Sequence, residues 1–528
     1  MKKRIISLII SLVVGFILYY IFLPAINLSY FGFWIFLLVI GGIYCASNVL
    51  MSVDFVTGSI YKLVGDVRII GIFDVACVVL ILLFNFILSP VFNSKSYVNR
   101  IDVNMDGEFT KDISLVDFNS LPLLDKDSSQ KLGDRVMGQL PELVSQFYVS
   151  DLYTQINYNN SVIRVTPLEY DGMIKYFSNR SDGVKGYISV DSVSGEAKLI
   201  KLEHGMKYMP SAMFNENLYR KLRFDYPSFI FGDESFEIDE DGNPFWVVPV
   251  LKYSGVGLRR DVKGVVILNP IDGTSNYYDS SMVPKWVDNV YKADVVLEQV
   301  NDWGKYRNGF WNSMFGQKNV VATTEGYNYI AMNDDVYLYT GITSLASDES
   351  NIGFILTNMR TKDTKYYAVP GAEEYSAMAS SEGQVQQMGY VSTFPLLINL
   401  NNRPTYLMSL KDNAGLVKMY SFVDVVDYQK VVVSDASLGI REASRAYLSK
   451  MGFDNINLDK LTMKDIIISS INSYTVNGNS VFYIVDSKEK RYSAEIGISN
   501  KLPFLNVGDS ITIGISKEEG VTKILEIK

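Results

Sequence analysis

Three apolar stretches, Ile5–Leu23, Phe31–Leu50 and Ile69–Phe92, dominate the first hundred residues and constrain everything that follows. A bilayer core of about 30 Å takes roughly 20 apolar residues at 1.5 Å of rise each, so every stretch is long enough to cross. The first exceeds the roughly 7–15 apolar residues of a signal peptide, and Leu23-Pro24-Ala25 is a poor cleavage site. An uncleaved anchor of three transmembrane helices is therefore expected, at about 5–23, 31–50 and 69–92.

Orientation follows from the basic residues at the ends of these helices. Lys2, Lys3 and Arg4 precede the first, and Lys62 and Arg68 separate the second from the third. The link Pro24–Tyr30 carries no positive charge. The N-terminus is expected in the cytoplasm, and the chain after about residue 92 outside the plasma membrane, despite Lys95 and Arg100. Asp74 lies about one turn into the third stretch, near enough to the inner interface to reach water or pair with Lys62 or Arg68, and Asn85 lies deeper.

The 49 basic residues are outnumbered by 58 acidic ones, giving a net charge of −9. Without clustered Lys and Arg, nucleic acid is not an expected partner. The two cysteines, Cys45 and Cys77, fall inside the apolar stretches, so disulfides and thiolate zinc sites are excluded beyond them. A long cysteine-free outer region suits a bacterial exported protein. His204 is the only histidine, which rules out multi-histidine metal sites. No metal or cofactor is expected.

Past the anchor, the expected order is a helix-containing membrane-proximal segment (93–180), a repeated α+β, β-rich ectodomain (181–435), a connecting helix (436–453) and a small β-barrel (454–528). Asp102–Gly107 matches the start of a calcium loop, but Ile113 stands where a bidentate Glu is required, leaving a polar turn. Leu132, Val136, Leu140, Leu143 and Phe147 are spaced for one helix from near Asp127, with Gly138 and Pro141 as kink points. The segment Val184–Gly195 aligns without gaps to Val262–Gly273: a strand ends on Asp or Asn, a turn closes on Gly and a second strand leaves. Each copy is followed by Pro and by an amphipathic stretch holding Asn-x-Tyr, at 217–219 and 289–291. A weaker third copy starts at Gly353. Another hairpin recurs at Ile238–Val248 and Ile398–Met408, with Pro244 and Pro404 where a strand begins.

These hairpin–helix units over roughly 182–301 resemble the PepSY-type domains of bacterial exported and membrane proteins. The anchor with such an ectodomain is also similar to a group of uncharacterised Gram-positive membrane-anchored proteins. The resemblance implies a compact α+β module that binds or shields something, and carries no catalytic signature. At the C-terminus, five strands are expected at Ile466–Tyr474, Ser480–Val485, Arg491–Ile498, Ser510–Ile515 and Val521–Ile527, an OB-fold or SH3-like pattern.

Trp286, Trp303 and Trp311 crowd one region with Tyr291, Tyr306 and Phe310. Val287 and Val290 place Trp286 on a buried helical face, whereas Trp303, Trp311 and Tyr306 are the binding candidates, because exposed aromatic platforms take sugars or peptides. Carboxylates are dense from Glu325 to Glu382, including Asp334, Asp335, Asp348, Glu349, Glu373 and Glu374, but glycan hydrolysis needs two at a set separation. The Ser-x-x-Lys tetrapeptides at Ser128 and Ser487 lack companion motifs. The expected function is a non-catalytic scaffold or binding protein engaging an envelope protein or cell-wall polymer. The alternative is an envelope enzyme acting on peptidoglycan or peptide; a sensor lacks an inner domain to receive its signal. Protease added to intact spheroplasts should digest the chain beyond Phe92 and spare the anchor. Digestion only after lysis would reverse the orientation.

Overall fold

The computed structural model describes residues 2–52, 65–118, 121–159, 161–332, 334–344, 347–453, 462–476, 479–499, 501–515 and 521–527. Three helices, α1 (Lys2–Phe22), α2 (Phe31–Ser52) and α3 (Gly65–Leu88), are long and apolar enough to cross a membrane. Large side chains such as Leu12, Phe16 and Leu80 stand exposed along them, a surface that hydrocarbon would cover. Asp74 faces α2 at Gly41, where an added Cβ would lie 3.0 Å from its Oδ2. Lys62, one of the two expected partners, lies outside the described residues. Asn85 points out of the bundle toward the β-domain.

Beyond a short helix, α4 (Pro90–Val98), four β-sheets follow in chain order, all wired alike. In each, two short strands share one edge of a long strand, and two antiparallel strands continue on its other side. The long strands are Ser161–Tyr170, Pro244–Lys252, Asp335–Ser344 and Arg403–Lys411. A helix follows every sheet: Leu218–Asp225, Ala293–Tyr306, Glu374–Gln384 and Ile440–Lys450. The third sheet also gains Val103–Gly107, which pairs in parallel with Thr364–Tyr367. That segment is a strand, not the polar turn its Asp and Asn content suggests.

The strand after each long one ends on or just before Asp191, Asn269, Asn358 or Asp424, whose Oδ1 accepts the N–H two residues on, at 2.8, 2.8, 2.9 and 3.0 Å. In the first three turns the Asx N–H donates to the carbonyl five residues later, each at 2.9 Å. The closing position has positive φ: +75° at Gly195, +77° at Gly273 and +67° at Lys362. The fourth turn is longer, returning from Asp424 to Lys430.

Several expectations change. The first sheet begins at Phe147, and Ser161–Tyr170 pairs with Val184–Asp191, so it runs across residue 180. The helix capped by Asp125 stops at Gly138, a separate turn starts at Pro141, and Phe147 belongs to a strand. Residues 283–292 are irregular, so Trp286 is not on a helix, and Asn289–Tyr291 precedes the helix that starts at Ala293. Residues 491–498 divide into a strand, Arg491–Glu495, and a 3-10 turn. At the C-terminus five strands close a barrel in the order first, second, third, fifth, fourth. Its third and fifth strands are parallel. The Asn477-Gly478 and Glu518–Gly520 joints lie outside the described residues.

The two glycine turns differ in what surrounds them. A Cβ at Gly195 would meet Leu124 at 3.7 Å, whereas one at Gly273 would overlap the Tyr208 ring. Each Gly→Ala change adds left-handed strain of about 1 kcal/mol. Gly273→Ala should therefore destabilise the chain distinctly more than Gly195→Ala, as read from denaturant midpoints.

Candidate functional site

Where the first three sheets meet, a cleft of about 220 Å³ is lined by Asn157, Tyr158, Asp239, Lys285, Trp286 and Asp334. Tight turns put its polar residues there. Asp239 accepts from the backbone N–H of Asp241 and Asn243 at 3.0 and 2.8 Å, and so is held as a turn former. The Trp286 ring leans on Phe245 at 5.1 Å. One aromatic wall, carboxylates, an amide and a lysine suit a polar ligand with an apolar face, such as a glycan or peptide.

The same segments carry a buried polar knot. Glu237 accepts from Ser235 Oγ at 2.7 Å and from the Asp288 N–H at 2.9 Å. Asp288 in turn accepts from the Asn157 N–H at 2.7 Å, and Asn289 Nδ2 donates to the Gln155 carbonyl at 3.2 Å. The Tyr291 N–H reaches the Met359 carbonyl of the third sheet at 2.8 Å. Burial raises the Glu237 carboxyl above its ordinary range, and burial with the neighbouring Glu237 charge raises Asp288 well above it. Burial also lowers the Lys292 ammonium, against the pull of Glu237. Neither carboxyl lines the cleft, and both are spent on backbone N–H groups. The arrangement holds segments together; it does not present an acid or base to a ligand. Sequence offered no signal for it, because Glu237 alternates with the core residues Phe236 and Ile238 and reads as solvent-facing.

Of the three aromatic candidates, Trp303 and Tyr306 are buried, 8% and 9% exposed, whereas Trp311 is 63% exposed. The helix Ala293–Tyr306 turns the first two inward toward Val321 and Tyr97, and Trp311 lies past its end. The carboxylates of 325–382 do not share one cleft. Asp335 is tied to Arg360 at 2.7 Å, Glu374 is fully buried, and Glu382 accepts from the Ser392 N–H at 2.9 Å. The side chains of Asp348 and Glu349 lie outside the described residues. Lys131 of the first Ser-x-x-Lys donates to the Ala414 carbonyl at 2.8 Å, a tie between the first helix of the β-domain and the fourth sheet. Among the described residues, no cluster of three or more His, Cys, Asp or Glu could hold a metal ion. No protein-family model matches the chain, and no curated protein matches it.

Because Asp288 is raised in the folded state, that state holds a proton the unfolded chain releases near pH 4. Its contribution is present at acid pH and lost as pH rises from about 4 through the raised value. Asp288→Asn, which keeps the acceptor for Asn157, should remove that part of the slope and narrow the stability loss toward pH 8. Glu169, buried and pushed up to about 7, should behave alike as Glu169→Gln. Parallel pH–stability curves for variants and parent would contradict this.

Proposed function

We propose that this chain is a non-catalytic, membrane-anchored scaffold or binding protein of the cell envelope, whose β-domain engages a cell-wall polymer or a partner membrane protein. The observation that carries this reading is how rigidly the spans are built into the β-domain. Leu23 O, just past α1, accepts from Arg223 Nε at 2.9 Å, and Ala25 in the α1–α2 link is buried in a core shared with Val247 and Val265. Asn85 near the end of α3 donates to the Val256 carbonyl at 2.9 Å and accepts from its N–H at 3.0 Å. A tethered enzyme gains little from such fixation, whereas a platform presenting a surface at a set height depends on it.

The link 23–30 and the end of α3 share the β-domain side, which leaves Arg4 and Arg68 at the far ends of the spans. With the positive-inside rule, this supports a cytoplasmic N-terminus and a β-domain outside. The four alike sheets, three with the same Asx turn, favour tandem duplication of a PepSY-like unit. The barrel's strand order and its one parallel pair favour an OB-type over an all-antiparallel SH3-like barrel.

Full-length protein in nanodiscs should leave purified peptidoglycan intact. A photo-crosslinker at Lys285 in cells should capture an envelope component, and Trp286→Ala should weaken that capture severalfold at a temperature well below the variant's own melting point. Release of soluble glycan or peptide fragments, lost in Asp239→Asn or Asp334→Asn, would establish an enzyme instead.

A further inference from the structure

The helix Ala293–Tyr306 and α4 run antiparallel. Arg100, just past α4, pairs with Glu298 and Asp302, while Tyr97, one turn earlier, packs its ring 6.0 Å from Tyr306. Following the helix forward therefore leads back along α4 toward Leu88, the end of the third span, whose carbonyl accepts from Tyr97 OH at 3.2 Å. The chain beyond Tyr306 carries a continuous run of rings. Phe310 lies 6.2 Å from Tyr306, Trp311 5.4 Å from Phe310, and Phe315 stacks on Trp311 at 6.0 Å and 9°. The run ends with Phe315 79% exposed, in a turn otherwise fixed by the Asn308 and Asn312 amides donating to the Lys318 carbonyl, each at 3.0 Å.

A second apolar tip stands beside the first span. Arg220 donates to the Tyr20 carbonyl at 3.4 Å and sits 4.1 Å over the Tyr20 ring. The same guanidinium donates to the Phe214 carbonyl at 2.6 Å, and the Phe214 ring lies 6.2 Å from Phe177. Phe214 is exposed at φ +50°, a conformation that costs a bulky residue energy and is kept where the side chain's position matters. Ile174 in the neighbouring helical turn is 74% exposed. One tip lies beside the exit of α1, with Arg180 and Arg220 alongside; the other starts from Tyr306, which Tyr97 joins to the end of α3, with Lys305 and Arg307 at its base. Aromatic rings at the headgroup level flanked by snorkelling cations are the pattern of a membrane interface.

We propose that these tips are membrane feet: Trp311–Phe315 on one side and Ile174, Phe177 and Phe214 on the other enter the headgroup layer of the bilayer that α1–α3 cross. The occupant is the lipid of that same leaflet, since one tip is held to Tyr20 at the exit of α1 and the base of the other is joined through Tyr97 to Leu88 at the exit of α3. The feet fix the tilt, relative to the bilayer, of the body that the β-domain and the spans form together. This rests on reading α1–α3 as spans.

The test is spin-label depth measurement on full-length chain, one molecule per nanodisc. Single-cysteine variants would carry Ile174→Cys, Phe315→Cys or Leu416→Cys in a Cys45→Ser, Cys77→Ser background, with native Cys77 in Cys45→Ser as the reference. Labels at 174 and 315 should show an oxygen-to-nickel-chelate accessibility ratio severalfold above the label at 416, approaching that at Cys77. If Cys77 itself behaves as 416 does, the spanning reading fails and the feet with it. If Cys77 is immersed while 174 or 315 behaves as 416 does, the spans stand and the feet are wrong. All three outer sites are exposed, so unchanged melting temperatures are the check that each variant folds.

Discussion

The guanidinium of Arg100 joins the membrane anchor to everything beyond it. Its side chain is nearly buried between Glu298 and Asp302, and it also donates to the Arg260 carbonyl at 2.8 Å. Arg260 continues the chain of charges to Asp294 at 2.6 Å. The Arg100 carbonyl accepts from Lys362 at 2.8 Å, and the same ammonium reaches Asp261. A buried cation is tolerable only when its partners are in place, and removing one side of such a pair leaves the other uncompensated. The segment after α4, the second and third sheets and the helix Ala293–Tyr306 are thereby bound to one another. The pairing also neutralises, with protein carboxylates, the charge of a basic residue that lies just past the third apolar helix.

Segment 287–291 does for the sheets what Arg100 does for the anchor. Val287 and Val290 are fully buried, so their irregular backbone enters a place where no water can satisfy it. Its Asp288 and Tyr291 N–H groups are met by the Glu237 carboxyl on the second sheet and the Met359 carbonyl on the third, while its Asp288 and Asn289 side chains bind backbone groups of the first. Loops usually run over surfaces because such an arrangement is hard to complete. Here its completion turns consecutive sheets into one body with a cleft at their meeting point. Combined with the clamps at Leu23 and Asn85, this gives the cleft a fixed position relative to the spans.

What could be read from the chain was local. Apolar length announces α1–α3, alternation with Asx and Gly punctuation announces the hairpins, and the five C-terminal strands fall near their expected places. The Val-Lys-Gly match exposes two copies of a turn. A weaker third copy at Gly353 was legible too, although Lys362 holds the positive φ that Gly holds elsewhere, and the fourth was obscured because the turn after Asp424 is longer. Aromatic content alone misjudged Trp303 and Tyr306: spacing within a polar stretch does not reveal which face of a helix is covered, and here α4 and a strand cover it.

The sequence by itself determined the three helices long and apolar enough to cross a membrane, the asymmetry of charge around them, the exclusion of thiolate and multi-histidine chemistry beyond them, and most strand positions, because each depends on residues near one another in the chain. Only the tertiary structure decided that the four sheets are wired alike, that Glu237 and Asp288 form a buried knot, that Arg100 is neutralised, and that Trp311 rather than Trp303 faces outward. Those outcomes depend on contacts between residues tens to hundreds of positions apart. Burial and charge pairing at such range are properties of packing, and a local pattern of hydrophobicity carries no record of them.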